Sequence, residues 1–567
     1  MYKKLKLNCP IWFVGILAVL VLSGMVNILY KNGIPQIGDT SFHMDRVYEI
    51  REAFKAHHIP SWLNFSSFFG MGQAVSGMYP DITLWPLVLI TIKLGFLHQI
   101  LAIRILILIS TFVVNYFCLS ARGFVKEYSF FIAIIYAFSG YSLYQFLFEF
   151  QPGTAVINIF AFPIALSIHD LLNENRIDKY LVVKLSLLFG IIVYSHLLSI
   201  VVFAIIILSF WVIKSLYLRK VNKYSIINLL FSILLTIIYS LPILLRLIII
   251  SSSHISSPYG KEIVESENIY QVLFNPNTYS RTSLSLIALV FLVIVIWLRP
   301  YKQQALHFII AEIILMLFCT NLFPWVIFQK IPLINMLQYT PWRFGIWLSV
   351  LPLVAFLYIK TKHKRLILFL LALLTLAAIP EISRQKTDMN FSFDKGAYFS
   401  LKNTSFNSSW RSFETPNRDY LPYPTIGATA KNVVPKYVQN QLYSPVIKNN
   451  HGGEEKVIKN SESYSGITLY TKKSLRGKNY TLPIYYYPSL KYDIEINNKS
   501  NIKVTQSKNG FMKINTKTPL RKKSKITVYF KNPTSYKILL LISLSSYALM
   551  CLYLFLLGNS INSRIIK

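Results

Sequence analysis

Long apolar runs alternating with short basic or polar stretches set the pattern of this chain. The runs "IWFVGILAVLVLSGMVNILY" (11–30) and "SIINLLFSILLTIIYSLPILLRLIII" (225–250) hold at most one charged residue each. Either is long enough to cross a hydrocarbon core of about 30 Å as a helix. Their recurrence predicts a polytopic α-helical membrane protein. Near the C-terminus the period changes to two. "SGITLYTKK", "LKYDIEIN", "NIKVTQ", "GFMKINTK" and "SKITVYFKN" alternate between turn-formers such as "NNKSN", "SKNG" and "TPLRKKS". This pattern predicts a small all-β module, drawn as a sandwich, preceded by an irregular stretch over 385–430.

Charge then orients the spans. "KSLYLRKVNK" (214–223), "RPYKQQ" (299–304) and "KTKHKR" (360–365) should face the cytoplasm. The loops 31–80, 251–282 and 321–341 and the polar region 385–535 then face outside. A last span, 536–557, returns the tail inside. "ARGFVKE" (121–127) is also inside, so only one of 80–98 and 100–119 can be a full crossing. The short, proline-containing 80–98 is taken as interfacial or re-entrant, which gives about 12 crossings in all. The domain scheme is a transmembrane unit over 1–384, an outer β-rich unit over 385–535 and a terminal helix with tail over 536–567. The basic start "MYKKLKLN" followed by a long apolar run reads as an uncleaved signal-anchor in the cytoplasmic membrane.

Composition changes this picture little. The formal net charge is +34 over 567 residues. It fits basic inner loops and a lysine-rich tail near anionic lipid or polymer. No nucleic-acid module accompanies it, so nucleic acid is excluded as a partner. Four cysteines, Cys9, Cys118, Cys319 and Cys551, match no metal spacing, and the β module has none. Neither a P-loop nor a Rossmann glycine pattern is present.

Candidate chemistry concentrates after the first span, in "IGDTSFHMDRVYEIREAFKAHHIPSW" (37–62). With Thr40 as N-cap, a helix follows on which Asp39, His43, Arg46 and Ile50 share one face. Asp45 and Glu49 lie elsewhere around it. An aspartate there can accept a proton from an attacking hydroxyl, Arg46 can pair with a phosphate, and His43 can do either. The bland alternative is a solvated helix cap with an i, i+4 contact. Arg104 and Arg246 lie inside apolar runs, where an arginine needs a phosphate or a buried acid. His196 at membrane depth fits a ligand role or an interhelical hydrogen bond equally. Trp342 and Arg343 start a span, as belt residue and anchor or as donor-binding groups. Trp62, Tyr79 and Trp85 can stack on a sugar or anchor at an interface. His254, Glu262, Glu265 and Glu267 read as a solvated loop face.

In order along the chain stand "GDTSFHMDR" (38–46), "MYPDITLWP" (78–86), "IYAFSGYSLYQF" (135–146), "IIVYSHLLSIVV" (191–202), "LQYTPWRFGIWLS" (337–349), "RDYLPYP" (418–424) and "LPIYYYPSLKYDIEIN" (482–497). This ordered set resembles the bacterial YfhO-like and pyruvoyl-tetrahydropterin-synthase-related membrane families, within the GT-C glycosyltransferase superfamily. The resemblance implies a GT-C-like transmembrane domain that transfers a sugar from a polyprenyl-phosphate donor to a cell-envelope acceptor, such as a teichoic-acid-type polymer. It implies Asp39 and His43 as catalytic, and Arg46, Arg343 and Arg246 as donor-phosphate ligands. Tyr79, Glu149, His196 and Trp342 would contact substrate. Near 147–154, "LFEFQPGTAV" keeps Glu149 but lacks the family's arginine, and Thr154 stands where an acid is sought. The sequence leaves room for a divalent cation, but Asp39 and Asp45 fall on different helix faces, so no metal is assigned. A different class, a non-catalytic flippase for lipid-linked glycans, would use Arg104, Arg246 and His196 as a path, yet no internal repeat supports it. A membrane-tethered scaffold for the β module leaves most spans unexplained.

Overall fold

A computed structural model describes residues 10–29, 34–35, 38–147, 149–218, 222–256, 264–274, 286–298, 303–331, 333–337, 339–377, 398–399, 418–426, 434–500 and 502–565. The chain is mostly helical, with a C-terminal half-barrel sheet. Among the described residues three helices are long and apolar enough to cross a membrane: Phe96–Ala121, Lys223–Ser251 and Thr534–Leu557. Two bent pairs, Lys126–Ala137 with Gly140–Phe146 and Pro152–Ile159 with Ala161–Asn173, turn by 52° and 60° and bring the number to 5. The other apolar helices, among them Leu198–Val212 and Arg343–Tyr358, have 10–17 residues. Uninterrupted apolar helices thus fall short of the expected number of crossings. Two of the candidate crossings are broken, at Phe138–Ser139 and at Phe160, where backbone polar groups must find partners other than the next helical turn.

The stretch 80–98 forms only a short helix, Ile82–Thr91, before Phe96–Ala121 begins. At a rise of about 1.5 Å per residue it cannot cross a bilayer. The bundle core is built from helices Ala161–Asn173, Leu198–Leu218, Gln303–Cys319 and Thr340–Tyr358, around Phe162, Phe203, Phe308 and Trp347. The terminal helix, Thr534–Ile565, lies against Lys223–Ser251 and Lys179–Ser195. Tyr547 Oη donates to the Leu187 carbonyl at 3.0 Å, and Ser543 and Tyr194 both donate to that of Tyr239.

Ten strands are described: β1 (Ile34–Pro35), β2 (Tyr398–Phe399), β3 (Val446–Asn449), β4 (Glu454–Ser463), β5 (Gly466–Thr471), β6 (Asn479–Tyr485), β7 (Tyr492–Ile496), β8 (Lys503–Gln506), β9 (Phe511–Asn515) and β10 (Lys525–Phe530). β1 and β2 pair with each other. The rest form one antiparallel sheet in the order β7-β10-β5-β4-β3-β6-β9-β8. The expected sandwich is therefore a single sheet. Its inner residues, such as Ile467, Ile484, Ile514 and Val528, need no second sheet. They share a core with Val438 and Leu442 of helix Lys436–Tyr443, and with Trp62, Leu63, Phe65 and Met71 of the first loop. Trp62 is wholly buried near Phe530 and Tyr536, so it neither anchors at an interface nor is open to a sugar.

The first loop and the sheet are also joined by hydrogen bonds. The Tyr485 amide donates to Met71 O, the Ala74 amide to the Tyr487 hydroxyl, and that hydroxyl to Tyr420 O. The Trp62 amide meets Asn532 Oδ1, and Asn532 Nδ2 returns to Pro60 O. The segment 418–426 is tied down beside them: the Tyr423 amide reaches His254 O, and Gln73 Nε2 reaches Asp419 O. Most of the stretch expected to be irregular, 385–430, lies outside the described residues, as do Cys9 and Glu262.

Candidate functional site

Helix Thr40–Lys55 follows the first span, but its N-cap is Asp39, not Thr40. The Thr40 hydroxyl is engaged elsewhere, accepting from the Phe150 amide at 3.0 Å, and Asp39 donates its own amide to Glu149 Oε1 at 3.1 Å. These two bonds clamp the start of the helix onto the 149–151 segment. The fit is close at Gly38, whose φ is +53° and where a Cβ would stand 2.2 Å from Glu149 Oε1. Only glycine adopts that conformation without strain and leaves that space. Asp39 itself is exposed, whereas Glu149 is buried and also accepts from Gln151 Nε2 at 3.0 Å.

One and two turns on, the helix turns polar groups inward. His43 and Arg46 are buried and bonded to each other, Nδ1 to Nη1, at 3.0 Å. A guanidinium only donates, so His43 Nδ1 accepts and its proton sits on Nε2. Burial, then the Arg46 and His196 charges, hold the His43 imidazole well below its usual pKa. That direction favours the neutral imidazole over a cationic one. Arg46 also donates to Pro80 O and lies over the Tyr79 ring, 3.9 Å from its centroid.

Arg246, reaching in from helix Lys223–Ser251, donates to Tyr79 O at 3.0 Å and pairs with Asp81 at 2.9 Å. Asp81 accepts from Trp85 Nε1 through its other oxygen. Of the two alternatives for Arg246, the buried acid is the one observed, and its role as a donor-phosphate ligand is not needed to explain its burial. Arg104 likewise has a structural partner: it donates to Phe146 O and lies over the Phe150 ring, supporting the segment that holds Glu149.

His196 lies at the break between helices Lys179–Ser195 and Leu198–Leu218, with Nδ1 2.9 Å from Ser199 Oγ. This bond is local, three residues along the chain, and does not link two packed helices. Its ring centroid is 6.2 Å from that of Tyr79, and Arg46 and Arg343 are its charged neighbours. Arg343 is half-buried and donates Nε to Leu337 O at 3.0 Å. The Trp342 side chain lies outside the described residues. Thus Asp39, His43, Arg46, Tyr79, Glu149, His196 and Arg343 form one chain of neighbours, with Arg246 beneath it.

Three features of this region escape sequence reading. Glu49 is buried and accepts through Oε1 from the Ser66 and Ser67 amides, at 2.8 and 2.7 Å, and from the Ser67 hydroxyl. Burial raises its carboxyl to about 8, although these bonds pull the other way. A polar string also leads inward from Glu149. Gln151 joins Thr154, Thr154 joins Gln145 and Gln145 joins Asn158, each by a hydrogen bond. Thr154, at the position where an acid was sought, is a link in that string. The third is Asp81, whose partner lies 165 residues away in sequence.

An apolar groove of about 680 Å³ lies between helices Lys179–Ser195, Leu198–Leu218 and Lys223–Ser251. Leu197 and Leu244 line it, next to His196 and two residues from Arg246, and Leu171 and Ser225 line it near the opposite helix ends. Its hydroxyls on Ser225, Thr236 and Ser240 donate back to their own helix, leaving the wall apolar. Among the described residues no three of His, Cys, Asp and Glu come together as a metal site. No family model, curated protein or solved structure matches the chain.

Proposed function

We propose that this chain is a GT-C-type membrane glycosyltransferase that moves a sugar from a polyprenyl-phosphate donor onto a cell-envelope acceptor. The observation that carries the reading is the placement of Asp39. It is an exposed carboxylate, fixed through its own amide to Glu149, beside a cluster in which His43, Arg46, Glu149 and His196 are buried. An acceptor hydroxyl entering on that side meets a base before it meets the cluster.

The step balances without a further reactant. The acceptor oxygen attacks the anomeric carbon and forms the new C–O bond while its proton passes to Asp39. The bond from the anomeric carbon to the phosphate oxygen breaks, and the lipid phosphate leaves with the electron pair. In this reading Arg343, half-buried beside His196, meets that charge, with Arg46 behind it. The prenyl chain fits the apolar groove that starts beside His196 and Arg246. A sugar already activated as a lipid phosphate needs no nucleotide site.

The test is transfer of label from a panel of polyprenyl-phosphate sugars to envelope material, in membranes of a deletion strain with and without the chain. Transfer that appears only with the chain supports the reading. The flippase alternative draws on one observation, Glu312 of helix Gln303–Cys319. It is wholly buried, and neither carboxyl oxygen has a hydrogen-bond partner among the described residues. Intramembrane carboxylates of this kind mark transport paths. No transfer from any donor, together with chain-dependent movement of lipid-linked sugar across vesicles, would replace the first reading with the second.

A further inference from the structure

The C-terminal sheet carries a charge pattern that transfer chemistry does not use. Residues 434–535 hold 19 Lys and Arg against 5 Asp and Glu. The surplus gathers in two loops. "KKSLRGK" (472–478) and "KTPLRKKSK" (517–525) together contain nine cations and no acid. All nine, Lys472, Lys473, Arg476, Lys478, Lys517, Arg521, Lys522, Lys523 and Lys525, are exposed.

Hydrogen bonds lock the two loops side by side. The Leu475 amide donates to Leu520 O at 2.8 Å, the Lys523 amide to Thr471 O at 2.9 Å and the Lys522 amide to Ser474 Oγ at 3.0 Å. Between them the buried Tyr480 hydroxyl accepts from the Leu520 amide and donates to Leu475 O. The cations are therefore held together rather than free to spread apart. A fold that fixes like charges in this way gains when a counter-charge of similar extent arrives.

Position narrows the partner. β10 leaves the second loop at Lys525 and ends at Phe530, where Asn532 meets Pro60 and helix Thr534–Leu557 begins. That helix is long and apolar enough to cross a membrane. The patch thus stands at the other end of the strand, about 17 Å away along it. A headgroup touching the start of that helix does not span that distance. Seven of the nine cations are lysines, point charges that read charge density rather than a planar bidentate shape. At the near end, by contrast, Lys531 pairs with Asp493 at 3.5 Å.

We infer that the loops 472–478 and 517–525 form a docking surface for a linear anionic polymer, which presents the acceptor chain to the site below. Only this last role rests on the proposed transfer; the docking stands without it. The test uses the full chain in nanodiscs of neutral lipid with no donor sugar present, so failure of the transfer reading leaves it unaffected. Long-chain inorganic polyphosphate, polyglutamate and neutral dextran are titrated in turn, at low and at physiological salt. The expected result is salt-sensitive binding of polyphosphate, weaker binding of polyglutamate and none of dextran. The triple variant Lys472→Gln, Arg476→Gln, Lys522→Gln should weaken polyphosphate binding by about tenfold or more. Lys436→Gln, Lys491→Gln, Lys508→Gln removes as much charge elsewhere and should change it less than about twofold. Equal loss in both variants would show diffuse attraction by the whole module and overturn the inference. So would absence of polymer binding, or a patch that binds anionic vesicles in place of polymer.

Discussion

Asp81 and Asp39 belong to the same stretch of chain and fold into opposite surroundings. The Asp81 side chain is 4% exposed and pairs with Arg246, itself 2% exposed, whereas Asp39 is open at the rim of the cluster. The pair below joins the first loop to helix Lys223–Ser251 and fixes the 79–81 segment under Arg46. The aspartate above has its backbone fixed and its carboxylate accessible. Burial with a charged partner gives Asp81 a structural role, and exposure at the edge of the cluster is what the proposed chemistry asks of Asp39. The difference is one of coupling to the fold, and mutation separates the two.

Breaking the pair should have the largest effect on stability. Arg246→Ala leaves the Asp81 charge buried without its cation and should cost about 3–5 kcal/mol. The replacement of both residues by leucine should recover much of that. The thermal midpoint of the detergent-solubilised protein reads both, and a double variant no better than the single would show that the pair is not the cause.

Glu49 gives the next effect. Glu49→Ala strips two buried amides and a hydroxyl of their acceptor and should cost about 1–3 kcal/mol. Glu49→Gln keeps an acceptor oxygen and should fold as wild type does. The carboxyl is raised from about 4.5 unfolded to about 8 folded, so between these values the native state binds the extra proton. Its contribution is fully present below pH 4.5 and is lost as pH rises through 8. Unfolding scans from pH 4 to 9 should show that decline in wild type and a flatter profile in Glu49→Gln.

Glu312 sets the small end of the scale. A buried carboxyl with no hydrogen-bond partner among the described residues has no observed bond to lose, so Glu312→Gln should shift stability by less than about 1 kcal/mol. Transfer should be unaffected. A variant that folds but loses function would place Glu312 in a transport path instead.

Much of this contrast was not legible along the chain. The helix after residue 40 could be read from its lack of breakers, the strands from their alternation, and the failure of 80–98 to cross from its shortness and prolines. Arg246 in an apolar run announced that it needed a partner, but "MYPDITLWP" did not mark Asp81 as that partner, because the two meet only in the folded chain. The N-cap assignment shifted by one residue for the same reason: Thr40 is claimed by Phe150, 110 positions away. The sandwich became one sheet because its cover comes from the first loop, roughly 400 residues upstream. Local pattern carried the elements; the pairings that define the site are long-range.

The most direct test of the central claim is the transfer rate of Asp39→Asn against wild type, with folded protein matched by thermal midpoint. Asp39 is exposed at the helix N-cap, and Asp39→Asn should change stability by less than about 0.5 kcal/mol. Loss of its base should lower transfer by about 10²–10⁴-fold. Transfer at the wild-type rate in a fully folded Asp39→Asn protein would contradict the account and remove the rim carboxylate from the chemistry.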